Sequence, residues 1–149
     1  MEIDFDRVWK RVKSAEPVDE GSQLTSFIQA ELRDAADYEE LAGRTGAVRV
    51  RKLFLALSRA EKSHARKLQT AEYLLFGGHA AHSMNRQSGN ERILSALRSR
   101  YAGELQRAEA YSAAAGNVSH AHLKKLYGEL ADEERRHAEK LCNLLEELL

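Results

Sequence analysis

The feature that most constrains the fold is an internal repeat, in which residues of the first half of the chain recur 73 positions later. The matching pairs include Leu24 with Leu97, Glu31 with Glu104, Ala35 with Ala108, Tyr38 with Tyr111, Gly43 with Gly116, Leu57 with Leu130, Glu61 with Glu134, and His64 with His137. Two similar halves can pack around a pseudo-twofold axis, as two copies of a chain do in a dimer. The repeat therefore predicts two equivalent structural units that share one core.

Each unit has the composition of a helical hairpin. Pro17 is the only proline, and the glycines separate long segments rich in the strong helix formers Ala, Leu, Glu, Lys and Arg. We expect a short amphipathic helix over residues 4–14 and four long helices over about 22–42, 47–76, 91–116 and 119–149. Ser88 and Glu91 have the spacing of a capping box, which predicts the start of the third long helix.

The lengths of the connections predict how these helices are arranged. The first and third connections are only a few residues long, which favours antiparallel neighbours, whereas the second can cross the bundle. We therefore expect an all-α, ferritin-like four-helix bundle with one long crossover. The expected single domain, residues 1–149, divides into an N-terminal helix and linker (1–20), a first hairpin (22–76), a crossover (77–90) and a second hairpin (91–149).

Six polar residues interrupt the predicted core. Core positions recur at intervals of three and four on each long helix, and they are apolar apart from tyrosines, four glutamates and two histidines. Two Glu-x-x-His pairs place each glutamate and histidine on one helix face. The six exceptions are Glu31, Glu61, His64, Glu104, Glu134 and His137.

This set of side chains predicts a binuclear metal site. Burying ionised carboxylates costs on the order of several kcal/mol per ion unless counter-charge is supplied. No lysine or arginine lies on the core positions, whereas two divalent ions would balance four glutamates. Oxygen ligands with one imidazole per metal suit iron or manganese, with zinc as a further candidate. The alternative is a core that holds protonated or hydrated carboxylates without metal.

At these residues the chain resembles the rubrerythrin branch of the ferritin-like superfamily. The resemblance covers residues 22–149 and includes a tyrosine seven residues after each lone glutamate. It implies two iron ions bridged by Glu61 and Glu134, and it implies that Tyr38 and Tyr111 hydrogen-bond the ligands. It also implies more terminal roles for Glu31, His64, Glu104 and His137, without saying which of them serves which metal.

Two departures from the rubrerythrin pattern bear on activity. Rubrerythrins carry a rubredoxin-like domain with four cysteines, whereas this chain has only Cys142, so we expect electrons from a separate donor protein. Rubrerythrins also have an extra glutamate three residues after the third-helix ligand, where this chain has Arg107. The repeat-equivalent residue is Asp34. Arg107 could pair with a ligand carboxylate, pair with Asp34, or reach solvent.

The resemblance implies a di-iron oxidoreductase that reduces peroxide or dioxygen. Iron oxidation for storage and a non-enzymatic, metal-stabilised bundle are the alternatives. We expect a cytoplasmic protein, because neither a signal peptide nor a membrane span is evident. We also expect a homo-oligomer, with a dimer as the favoured state. The 23 basic and 23 acidic residues cancel, which argues against nucleic-acid and membrane partners. Four other histidines are expected to be solvated, namely His79, His82, His120 and His122.

Overall fold

The computed structural model describes residues 19–78 and 91–149, and these residues form four long α-helices. The helices are α1 (Glu20–Arg44), α2 (Val48–Phe76), α3 (Ile93–Asn117) and α4 (Ala121–Leu148). The predicted all-α four-helix bundle is confirmed. The predicted N-terminal helix lies outside the described residues. Within the described ranges, no helix is long and apolar enough to cross a lipid bilayer.

The helix ends follow local chemistry at some positions and tertiary contacts at others. Helix α1 begins after Asp19, whose carboxylate accepts hydrogen bonds from the backbone N–H groups of Gly21 and Ser22. Helix α2 ends at Gly77, which adopts the left-handed conformation with φ of 71°. Glycine tolerates this conformation because it has no Cβ, so the sequence signal for this end was reliable.

The start of α3 differs from the prediction. Its N-cap is Arg92, which makes no side-chain capping bond, and Glu91 precedes the helix. Ser88 lies outside the described residues, but Glu91 precedes the helix and is not the third residue of its first turn, so the predicted start of the helix at a capping box was wrong. The backbone carbonyl of Glu91 instead accepts a hydrogen bond of 2.6 Å from the guanidinium of Arg44, at the end of α1. A contact between the two hairpins thus accompanies this helix start, where the sequence suggested a local cap.

Two apolar clusters, one at each end of the bundle, show how the helices run. The first cluster includes Leu24 of α1, Ala71 of α2, Ala114 of α3 and Leu123 of α4. The second cluster includes Leu41 of α1, Val50 of α2, Leu97 of α3 and Leu144 of α4. Helices α1 and α4 therefore run in one direction, and α2 and α3 run in the other.

This arrangement makes each hairpin antiparallel and pairs α1 closely with α2 and α3 closely with α4. It also places the end of α2 and the start of α3 at opposite ends of the bundle. The predicted crossover falls largely on residues 79–90, outside the described residues, so it stays a prediction. Between the two apolar clusters lies the polar centre of the molecule.

Candidate metal centre

The six polar residues predicted from the sequence meet between the two apolar clusters. Each helix contributes to the group: Glu31 comes from α1, Glu61 and His64 from α2, Glu104 from α3, and Glu134 and His137 from α4. Four of these side chains are fully buried, while Glu104 is 4% exposed and His137 is 7% exposed. Six ionisable groups in one core demand mutual compensation of charge.

Their donor atoms form two overlapping groups of four. The donor atoms of Glu31, Glu61, His64 and Glu134 all lie within 4.8 Å of one another, and so do those of Glu61, Glu104, Glu134 and His137. The two groups share Glu61 and Glu134. We call the unshared pair Glu31 and His64 the His64 half-site, and the pair Glu104 and His137 the His137 half-site. The sequence left this division open.

Both imidazoles present Nδ1 to the carboxylates. The Nδ1 atom of His64 lies 3.4 Å from Glu61 Oε2 and 3.2 Å from Glu134 Oε1. The Nδ1 atom of His137 lies 2.9 Å from Glu61 Oε1 and 3.1 Å from Glu134 Oε2. The two rings are stacked, with centroids 5.5 Å apart and planes 11° from parallel. Each histidine therefore contacts both shared glutamates.

The two tyrosines cross from one half of the repeat to the other. The hydroxyl of Tyr111 donates to Glu31 Oε1 at 2.5 Å, and the hydroxyl of Tyr38 donates to Glu104 Oε1. These two bonds are related by the 73-residue repeat, which supports the predicted pseudo-twofold arrangement. Burial and the neighbouring carboxylate charge raise the pKa of both phenols well above their usual value. Both tyrosines therefore stay protonated and can donate these hydrogen bonds.

Without metal, protons neutralise the shared carboxylates. Burial raises the pKa of Glu61 to about 8 and that of Glu134 to about 10, so both are neutral at pH 7. Burial also disfavours ionisation of Glu31, but the neighbouring Glu61 and His64 outweigh it and lower the pKa of Glu31 to about 2. The pKa of Glu104 is also lowered despite burial, chiefly by His137, whose Nδ1 atom lies 3.8 Å from Glu104 Oε2.

The histidines provide the positive charge. Burial alone would lower their pKa values, but the hydrogen bond to Glu134 and the nearby carboxylate of Glu31 outweigh it and raise the pKa of His64. The nearby carboxylate of Glu104 and the hydrogen bond to Glu134 likewise raise the pKa of His137 to about 11. Two imidazolium ions thus balance two ionised glutamates. The sequence argument that only metal could supply counter-charge was incomplete, because it did not consider that the two imidazoles lie close enough to the glutamates to be protonated.

The donor set nevertheless fits a pair of divalent ions. Within the described residues, Glu31 Oε2 and both carboxylate oxygens of Glu61 are buried and accept no hydrogen bond of regular geometry, although an imidazole Nδ1 atom lies 2.9 to 3.5 Å from each of them. Buried acceptors of this kind usually have a partner, which can be an ion. Each half-site combines one terminal carboxylate, one imidazole and access to two shared carboxylates. Hard oxygen donors with one nitrogen donor are a suitable ligand set for iron or manganese.

Comparison with known proteins bears on this geometry. The rubrerythrin family model matches residues 95–149. The second hairpin is rubrerythrin-like. The matched range contains Glu104, Glu134 and His137, so the resemblance read from the sequence is confirmed for the hairpin that supplies half of the centre.

A solved structure supports the fold over most of the chain. A hypothetical protein from Pyrococcus furiosus superimposes with a TM-score of 0.77 at 22% sequence identity, covering 91% of this chain and 93% of that chain. At this identity the likeness concerns the fold alone. No protein of curated function matches the sequence significantly.

One residue of the centre was missed from the sequence. The outer nitrogen of His64, Nε2, is hydrogen-bonded to the carboxylate of Glu133, which also lies 3.9 Å from the ammonium of Lys67. A carboxylate on the outer nitrogen of a metal-binding histidine fixes the ring and its tautomer. Glu133 directly precedes Glu134, and this position next to a predicted ligand was the one sequence feature that could have identified it. The repeat gave no indication of Glu133, because the equivalent residue in the first half is Ala60.

The residue that replaces the extra rubrerythrin glutamate makes an ion pair. The guanidinium of Arg107 lies 3.2 Å from Asp34 Oδ2, and that of Arg100 lies 3.2 Å from Asp34 Oδ1. Of the alternatives that the sequence left open, pairing with Asp34 is therefore the one adopted. Because Asp34 and Arg107 are repeat-equivalent, they face each other near the pseudo-twofold axis. Two acidic residues there would repel each other.

The remaining histidines of the described chain lie away from the centre. His120 precedes α4, and its Nδ1 atom is 2.5 Å from a carboxylate oxygen of Glu20. His122 is exposed on the first turn of α4. The expectation that His120 is solvated was incomplete, since it packs against the start of α1. His79 and His82 lie outside the described residues.

Proposed function

We propose that this chain binds two iron ions and reduces peroxide or dioxygen with electrons from a separate donor protein. The observation that carries the proposal is the pair of four-residue donor groups that share Glu61 and Glu134. Two carboxylates common to both groups can hold two ions close together, as in other carboxylate-bridged helical bundles. The rubrerythrin match over the second hairpin supports the same chemistry.

The chain's own residues would prepare such a reaction in three ways. Glu61 and Glu134 set the separation of the two ions, while Tyr38 and Tyr111 hold the terminal glutamates in place. The apolar clusters at both ends limit water around the centre. Two ferrous ions bound here would supply two electrons, which is the number that reduction of one peroxide molecule to two water molecules consumes together with two protons.

A small molecule can approach the centre from the face between α1 and α3. A cavity of about 430 Å³ lies on this face, and its walls include Asp34, Arg100, Glu104 and Arg107. Glu104 belongs both to this cavity and to the donor set. The cavity therefore supports a route for peroxide or dioxygen along the α1–α3 face.

The ion pair at Arg107 bears on the rate. A guanidinium stays protonated and cannot act as a metal ligand, so the donor set has six residues without the extra glutamate of the rubrerythrin pattern. We propose slower peroxide reduction than a protein with the seventh ligand shows. We also propose that the chain forms a homo-oligomer, with a dimer as the favoured state, and that it receives electrons from an external donor protein.

The experiment is anaerobic loading with ferrous iron, followed by one addition of peroxide. We expect about one peroxide consumed per two irons oxidised, as the electron balance requires. The double variant Glu61→Ala with Glu134→Ala should lose this reaction, while Glu129→Ala, which removes an exposed glutamate of α4, should retain it. Peroxide left unconsumed by the iron-loaded parent protein would contradict the proposal.

Iron oxidation for storage gives a different result in an aerobic assay. With excess ferrous iron and dioxygen, a storage protein retains many oxidised irons in a large hollow particle. The proposed oxidoreductase retains about two irons per chain, matching its two half-sites. Sedimentation of the iron-loaded protein, with iron measured in each fraction, distinguishes the two functions.

A further inference from the structure

The two half-sites are related by the repeat, but their surroundings differ. In the His64 half-site, Nε2 of the histidine is bonded to Glu133. The residue equivalent to Glu133 in the first half of the repeat is Ala60, whose side chain cannot accept a hydrogen bond. Within residues 19–78 and 91–149, the contacts of His137 to ionisable groups all involve Nδ1. His64 is therefore held through both ring nitrogens, whereas His137 is held through Nδ1.

Burial differs in the same direction. Glu31 and His64 have no exposed surface, whereas Glu104 and His137 retain 4% and 7%. Glu104 also lines the cavity between α1 and α3, and Glu31 does not. The His137 half-site is therefore both less supported and closer to solvent.

We infer that the two metal positions are inequivalent: the His64 half-site binds its ion tightly, and the His137 half-site binds a weaker, exchangeable ion. The physical reason is that Glu133 fixes the His64 ring with Nδ1 toward the ion and makes the imidazole a better donor. Loss of such a partner typically weakens metal affinity about 10- to 100-fold. This inference rests on the proposed metal pair and goes beyond it by ranking the two positions.

The chain offers a matched gain-of-function variant. Lys67, which lies beside Glu133, has Lys140 as its repeat equivalent. Ala60→Glu would thus place a carboxylate beside His137 with a lysine near it, as in the first half-site. Glu133→Ala removes the existing carboxylate, and Glu133→Gln retains an acceptor without the charge. Asp132→Ala is the control, because Asp132 is an exposed neighbour that pairs with Arg135.

The experiment titrates the metal-free full chain with Co²⁺ and follows the visible absorption of the bound ion against a competing chelator. For the parent protein we expect two steps whose dissociation constants differ by about 10- to 100-fold. Glu133→Ala should weaken the tight step by a similar factor and leave the weak step unchanged. Glu133→Gln should restore part of the tight step, and Asp132→Ala should change neither step.

Ala60→Glu should tighten the weak step, and this variant keeps the test valid if Glu133→Ala fails to fold. Uptake of two ions in one step of equal affinity would overturn the inference while leaving the metal pair intact. Equal weakening of both steps by Glu133→Ala would overturn it as well, because Glu133 would then act on the whole fold. No uptake by the parent protein would overturn both this inference and the proposed function.

Discussion

The interior of this bundle has two kinds of region, and they depend on different interactions. The clusters at its ends are apolar side chains from all four helices, so their stability comes from removing hydrocarbon from water. The centre between them holds six ionisable groups, which are stable only when protons or metal ions balance their charges. The ends therefore maintain the fold, while the centre responds to its ionic surroundings.

The largest stability effect should come from the ends. Leu123 is fully buried in the first cluster, away from the donor residues. Replacing Leu123 with Ala removes buried methyl groups and leaves a cavity, at a cost of about 2 to 5 kcal/mol in the free energy of unfolding. Chemical denaturation measures this cost. Metal stoichiometry should be unchanged, and Leu148→Ala at the exposed end of α4 is the control. A large loss of metal at the first cluster would break the distinction between the two regions.

Metal removal should have an effect of similar size, because two sites contribute. Ions that bind only the folded state stabilise it by mass action, by about 2.7 kcal/mol per site when free metal is 100 times the dissociation constant. We expect the metal-free chain to melt at a lower temperature but to keep its helical content, because the end clusters remain. Thermal unfolding followed by circular dichroism, with and without chelator, measures the difference. Identical melting curves would argue against a buried, occupied site.

Proton release on metal binding should further distinguish the ionisable centre from the apolar ends. Glu61, with a pKa of about 8, Glu134, with a pKa of about 10, and both imidazoles hold protons at pH 7 in the metal-free centre. Metal must displace protons from these groups, so binding should release protons. Since bound protons compete with metal, affinity should rise with pH. Calorimetry in buffers of different ionisation enthalpy gives the count, and a value near zero would contradict the described charge state.

A smaller effect on stability is expected from replacing Arg107, which lies between the centre and the solvent. Arg107→Glu would remove the ion pair with Asp34 and place two carboxylates near the pseudo-twofold axis. We expect a loss of about 1 to 3 kcal/mol in stability, moderated because Arg100 still contacts Asp34. Adding Asp34→Ala should recover much of this loss, since the repulsion then has no partner. Additive effects of the two changes would show that Arg107 and Asp34 are not coupled.

The sequence predicted what periodicity and repetition encode. The six donor residues occupy core positions at helical spacing, and each has a counterpart 73 residues away, so both their burial and their meeting could be inferred. The end of α2, marked by Gly77, was equally accessible, whereas α1 and α3 continue past Gly43 and Gly116. The role of the six residues as metal ligands stays a prediction.

The sequence could not reveal features that break the repeat or depend on distance. Glu133 lacks an acidic counterpart, since Ala60 occupies the equivalent position, so the repeat gave no signal for it. The partner of Arg107 depends on where the pseudo-twofold axis passes. The charge state of the centre depends on the short distances from the two imidazoles to the shared glutamates, which spacing along the chain does not determine.

Metal content is the most direct test of the central claim that six residues form one centre with two positions. The full chain, loaded anaerobically with ferrous iron and freed of excess metal, should contain two irons per chain by elemental analysis. Replacing Glu61 and Glu134 together with Ala removes the donors common to both positions and should abolish the pair, while Glu129→Ala should retain two irons. One iron or none in the parent chain, or two irons in the double variant, would contradict the account.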